Sequence, residues 1–150
     1  MARAPFQVLV IPYLMYRGGA RYAAFRRRDA GWWQWIAGGG EQGETPLAAA
    51  QREAHEEAGI GSEQRFTRLE STTTIPVIQV VGHFAWGEET LVIPEHTFAV
   101  ELPQPELTLS REHTEYAWLD YDTALKKLKW DSNRSALWEL HYRLQQGALK

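Results

Sequence analysis

Three glutamates, Glu53, Glu56 and Glu57, lie in the string Arg52-Glu53-Ala54-His55-Glu56-Glu57-Ala58-Gly59-Ile60. Their separations of three and four residues put them on one face of a helix. Like charges at those spacings repel by about 0.2–0.5 kcal/mol per pair. Water and Arg52 alone would relieve that on an ordinary acidic surface. A second feature argues for more: the glycine-rich run Gly38-Gly39-Gly40-Glu41-Gln42-Gly43-Glu44 stands shortly before it. Clustered carboxylates beside such a loop suit Mg²⁺ or Mn²⁺, which take oxygen ligands and commonly bridge to substrate phosphates. The cation polarises a phosphoryl oxygen and lowers the pKa of a bound water, and two or more ions stabilise the entering and the leaving oxygen. The expected chemistry is metal-assisted attack by water on phosphorus.

Local signals supply the element that carries these side chains. Thr45-Pro46 is a helix start, with a capping hydroxyl and then a proline where no N–H is needed. Leu47 to Ala58 is rich in helix formers, and Gly59 can take the left-handed conformation that ends a helix. The spacing therefore predicts a helix of about three turns, 47–58, entered from the glycine-rich loop.

Read as one unit, Gly38 to Ile60 resembles the Nudix box, the signature of hydrolases that cleave nucleoside diphosphates linked to another group. The resemblance implies a mixed β-sheet between α-helices, an α+β (α/β) sandwich, with the box as a loop–helix–loop beside the sheet. It implies that Glu53, Glu56 and Glu57 bind metal, that Arg52 and Glu44 pair to hold the loop against the helix, and that Gly38 lets the loop turn tightly. Ala54 departs mildly from the family, standing where a bulkier aliphatic residue is usual. Thinner packing beneath the helix is expected there.

Segments outside the box look like the dihydroneopterin triphosphate diphosphatases, a bacterial Nudix branch in folate synthesis. They are Arg26-Arg27, Trp33-Gln34, Glu112-His113 with Tyr116-Ala117-Trp118-Leu119-Asp120, and Trp130-Asp131-Ser132-Asn133-Arg134. In that branch Trp and Ser are adjacent, so Asp131 is a one-residue insertion or a shifted register. Glu112 is expected as a fourth metal carboxylate or as the general base, with Glu115 as the fallback. A guanidinium fork from Arg26 or Arg27 can grip phosphate. Ser132 stands near a helix start, where anions bind readily and where Asp131 or Ser132 would cap. Trp32, Trp33 and Trp35 can stack on a pterin or purine. The candidate catalytic set is thus Glu53, Glu56, Glu57, Glu112, Arg52 and Glu44. The candidate substrate-binding set is Arg26, Arg27, Trp33, Gly38, Gly39 and Ser132. The histidines show no ligand spacing and are expected to be structural, except His113 beside Glu112.

The rest of the sequence bounds the reading. With 150 residues, 44% apolar and 23% charged, one domain over 1–150 is expected, with a core of ordinary size. A net charge of −3 argues against a broad nucleic-acid surface. The absence of cysteine excludes disulfides and thiolate metal sites and fits the cytoplasm. The longest apolar run, Val8 to Met15, is too short for a membrane span and lacks a signal-cleavage pattern. Expected strands are 6–16, 20–26, 33–37, 65–74, 76–86, 95–102 and 115–119, with helices at 121–128 and 131–146. The expected partner is a small phosphoanhydride, bound by a monomer or homodimer. Other substrates in the same class are dATP, another (d)NTP or an ADP-sugar, for which Pro76 is a slight pointer. A non-catalytic ligand sensor is the alternative of another class, disfavoured by the full set of box glutamates.

Overall fold

The computed structural model describes residues 2–147 and 149. Its backbone is a forked strand, β1 (Arg3–Tyr16), followed by β2 (Gly19–Arg27), β3 (Trp33–Gln34) and β4 (Ile36–Glu41). Helix α1 (Pro46–Ala58) comes next, then β5 (Arg65–Pro76), a short α2 (Val77–Val81) and β6 (Val92–Glu101). The chain closes with β7 (His113–Leu119), α3 (Tyr121–Lys127) and α4 (Asp131–Gln146).

One edge of β1 divides between two partners: its first part pairs antiparallel with β4, its end with β2. Along the other edge β6 runs parallel, and β5 pairs antiparallel outside it. Strands β3 and β7 both pair with β2. The expected mixed sheet between helices is therefore present.

Alternation along the strands builds a core on each face. Val8, Val10, Phe25, Phe98 and Val100 meet Ala49, Ala50, Ala54 and Ala58 of α1. Leu9, Ile11, Trp35 and Ala99 meet Leu137 and Leu140 of α4. Ala54 is fully buried, so the small residue brings the helix onto the sheet without leaving its contact. The ends of α1 form as the local signals predict. Thr45 Oγ1 accepts from the Ala48 N–H at 3.1 Å, and Gly59 closes the helix at φ 70°.

The expected strand over 76–86 is absent. The β5–β6 ladder runs out to Pro76 opposite Val92, so Val77 to Leu91 form the connection between the two strands. Pro76 has no N–H to extend the ladder, and the run that follows lacks strand alternation. It winds instead into α2, ended by Gly82 at φ 81°.

Candidate active site

Strand β4 is longer than the sequence suggests, and this changes what the glycines do. Gly38, Gly39 and Gly40 lie within β4, with Gly38 opposite Val8 and Gly39 opposite Gln7. Gly38 is thus not the tight turn; Gly43 turns the loop, at φ 86°. A Cβ on Gly38 would lie 2.1 Å from the Glu53 carboxyl carbon, and one on Gly39 2.1 Å from Arg3 Nε. The glycines let functional side chains lie flat on the strand.

Arg52 ties the box together. Its Nε and Nη2 donate to Glu44 at 2.7 and 3.0 Å, and Nη2 also donates to the Gly39 carbonyl at 2.8 Å. Nη1 reaches Glu53 at 2.8 Å and Glu56 at 3.3 Å. Glu44 also accepts the Glu41 N–H at 2.8 Å, and the Arg52 hydrogen bonds hold its carboxyl below the usual range. The expected Arg52–Glu44 clasp of loop to helix is present, and it includes two of the three helix glutamates.

Glu57 is different. It is buried, and its Oε2 has no hydrogen-bond partner. Burial first, then the neighbouring Glu53 carboxylate and the charge of Glu112, push its carboxyl well above the ordinary range. A buried carboxyl with an unpartnered oxygen, beside a second carboxylate, fits a cation, whose charge offsets that shift. No three or more His, Asp or Glu side chains among the described residues already stand as a ligand set. Arg52 holds Glu53 and Glu56 in their present arrangement.

The segment after β6 brings the remaining groups to the end of α1. The Thr108 N–H donates to the Ala58 carbonyl at 3.0 Å, and the Ser110 N–H to the Glu57 carbonyl at 3.2 Å. Glu112 is exposed, and its carbonyl accepts from the Arg28 N–H at 2.8 Å. His113 follows, buried, with Nε2 3.7 Å from Glu57 Oε1. Burial first, then Arg27, pushes its imidazolium pKa down to about 4. Glu115, the fallback for Glu112, is engaged by Arg26 at 3.2 Å.

The candidate substrate residues are divided. Arg27 chelates Asp29 at 2.9 and 3.0 Å, within the field of Glu57 and Glu112. Arg26 is committed to Glu115 and the Gly31 carbonyl. Trp33 packs on the α4-side core with Lys127 over its ring at 4.8 Å. Trp35 is a core residue; Asn133 Oδ1 accepts its backbone N–H and the Asn133 carbonyl its indole N–H, both at 2.9 Å. Trp32 meets Trp130 edge-on at 5.2 Å. Neither Asp131 nor Ser132 caps α4, whose cap position is Trp130 with no side-chain bond. The Ser132 hydroxyl accepts from Asn133 Nδ2 at 3.2 Å and lies beside Glu95.

Sequence reasoning missed Arg3, Gln7 and Glu95. Gln7 is opposite Gly39 on one side and Glu95 on the other, and Arg3 hydrogen-bonds Gln7. This makes a polar row across β1 and β6. Glu95 is buried, and burial pushes its carboxyl up to about 7. Its alternation with Thr97 and Ala99 was the available signal. A cavity of about 400 Å³ at the β1–β2 turn, lined by Arg21, Tyr121 and His141 among others, holds none of the box carboxylates.

The NUDIX domain family model matches residues 10–139. The Escherichia coli (strain K12) dihydroneopterin triphosphate diphosphatase is 30% identical over 90% of this chain and 91% of its own length. The solved structure of the E. coli dihydroneopterin triphosphate pyrophosphohydrolase has a TM-score of 0.76 at 26% identity, covering 95% of this chain and 99% of that one. A Listeria monocytogenes structure described as a NUDIX hydrolase has a TM-score of 0.88 at 38% identity, covering 98% and 99%. An octanoyltransferase of Myxococcus xanthus is 32% identical over 91% of this chain, which spans only 37% of that protein.

Proposed function

The chain belongs to the Nudix hydrolase family, and on that premise we propose that it is a Mg²⁺-dependent pyrophosphohydrolase of dihydroneopterin triphosphate, acting in folate synthesis in the cytoplasm. The observation that carries the metal reading is buried Glu57, paired with Glu53 and left with an unpartnered Oε2. The substrate reading is supported by the E. coli diphosphatase, matched over nine-tenths of its length.

Glu53, Glu56, Glu57 and Glu112 would hold the cation. When bound it neutralises the carboxylates and the diphosphate and polarises a phosphoryl oxygen. Arg52 and Glu44 position Glu53 and the loop. Gly38 and Gly39 leave room on the strand for Glu53 and Arg3, so that substrate meets these side chains against the β4 backbone. Arg27 grips phosphate by exchanging Asp29 for it. Glu112, exposed and close to Glu57, takes the proton from the attacking water. A water oxygen–phosphorus bond forms as a bridging P–O bond breaks, and pyrophosphate departs. Ser132 contacts the organic half. Arg26 and Trp33 remain secondary contacts, since each is already engaged by Glu115 or Lys127.

The test is product release from dihydroneopterin triphosphate, dNTPs, ADP-ribose and diadenosine tetraphosphate with Mg²⁺. A preference for the pterin with pyrophosphate as product is expected. Preference for dATP or ADP-ribose would overturn the substrate and keep the chemistry. Binding without turnover of any compound would overturn the enzyme reading in favour of a sensor.

A further inference from the structure

We propose that His113 is a positioning residue, whose Nε2–H holds the Glu57 carboxylate in the orientation a cation requires. The inference rests on Glu57 being a metal carboxylate, as read above. Both side chains are closed off from the surface, with exposures of 0% for His113 and 4% for Glu57. Neither ring nitrogen has a hydrogen-bond partner, nor does Glu57 Oε2. Buried polar groups are normally bonded, so a ring with two unpartnered nitrogens, one of them 3.7 Å from Glu57 Oε1, needs an explanation.

Packing alone does not give one. The ring lies tilted on Phe25, with centroids 5.4 Å apart. An apolar side chain would fill that space without two unsatisfied nitrogens. Meanwhile both backbones are fixed. His113 pairs with Arg27 in the sheet, and Glu57 is tied to the Ser110 N–H through its carbonyl. Only side-chain torsions are left free. The 3.7 Å separation exceeds hydrogen-bond reach, and turning the Glu57 carboxyl closes it. Carboxylates that serve metals are ordinarily oriented by such outer hydrogen bonds, whose loss costs about 10–100-fold in metal affinity.

The full chain is titrated with Mn²⁺ and followed by calorimetry. His113→Phe keeps a ring against Phe25 and removes the donor, so Mn²⁺ binding should weaken by about 10–100-fold. His113→Gln returns an N–H at similar reach and should recover most of that loss. In the unaltered protein with Mg²⁺, ¹⁵N spectra should show the Nε2–H tautomer of His113, which decides the matter should His113→Phe fail to fold. Wild-type affinity in His113→Phe, or an Nδ1–H tautomer, overturns the proposal. Wild-type affinity in Glu57→Gln would instead overturn the metal reading on which it rests.

Discussion

Glu95 shows what burial does to a single carboxyl. It lies opposite Gln7 in the parallel β1–β6 pair, beside the Ser132 hydroxyl. Burial raises its pKa from 4.5 to about 7, and Ser132 offsets part of the rise. The sign follows from linkage: below pH 4.5 both folded and unfolded chains carry the proton, and nothing is lost. Between 4.5 and 7 the unfolded chain ionises first, so stability falls as pH rises, and above 7 the full penalty applies. Its upper bound is about 3 kcal/mol. Glu95→Gln keeps the shape without the charge. Thermal melts should therefore show the variant equal to wild type at pH 4 and more stable at pH 8. Equal stability at both pH values would mean that Glu95 ionises in the fold without cost.

At the scale of elements, the site depends on how closely α1 and β4 approach. Ala49, Ala50, Ala54 and Ala58 lower the helix onto the sheet, and Gly38 leaves room for the Glu53 carboxyl on the strand. Gly38→Ala adds a methyl where that carboxyl now lies, and displaces it. Turnover should fall by at least about tenfold, the scale expected of a misplaced metal carboxylate. The circular dichroism spectrum should stay that of the wild type, because Ala is no worse than Gly within a strand. Undiminished turnover would show that Glu53 has another productive position. Much of this was legible in the sequence. Thr45, Pro46 and Gly59 fix the ends of α1 through contacts a few residues long, and the charge spacing lies within the same turns. What was not legible depends on distant pairing. Gly38 reads as a turn until Val8 is seen opposite it. The 77–91 connection reads as a strand until the β5–β6 ladder is seen to end at Pro76. Trp35 reads as a stacking surface until Asn133, far along the chain, is found bonded to it.

The whole molecule assembles the carboxylate site from parts that meet only in the fold. Helix α1 brings Glu53 and Glu57, strand β4 the glycines over which Glu53 lies, the segment before β7 brings Glu112, and β7 opens with His113. An unfolded chain holds none of these together, so a cation that binds the site binds the native state selectively. Stability then rises with its free concentration, by about 2.7 kcal/mol at one hundred times Kd. For a domain of this size that is about 5–10 °C in Tm. Glu57→Gln separates the site from the scaffold. It replaces a buried, unpartnered carboxyl with a neutral amide, so without Mg²⁺ the variant should melt no lower than wild type near neutral pH. With Mg²⁺ the wild type should gain those degrees and the variant little, while turnover falls at least about a hundredfold. A variant that melts far lower without Mg²⁺ would make Glu57 a structural residue. One that keeps the full Mg²⁺ shift would move the cation elsewhere. Loss of the shift with the scaffold intact ties cation binding to the residue that the fold buries at the end of α1.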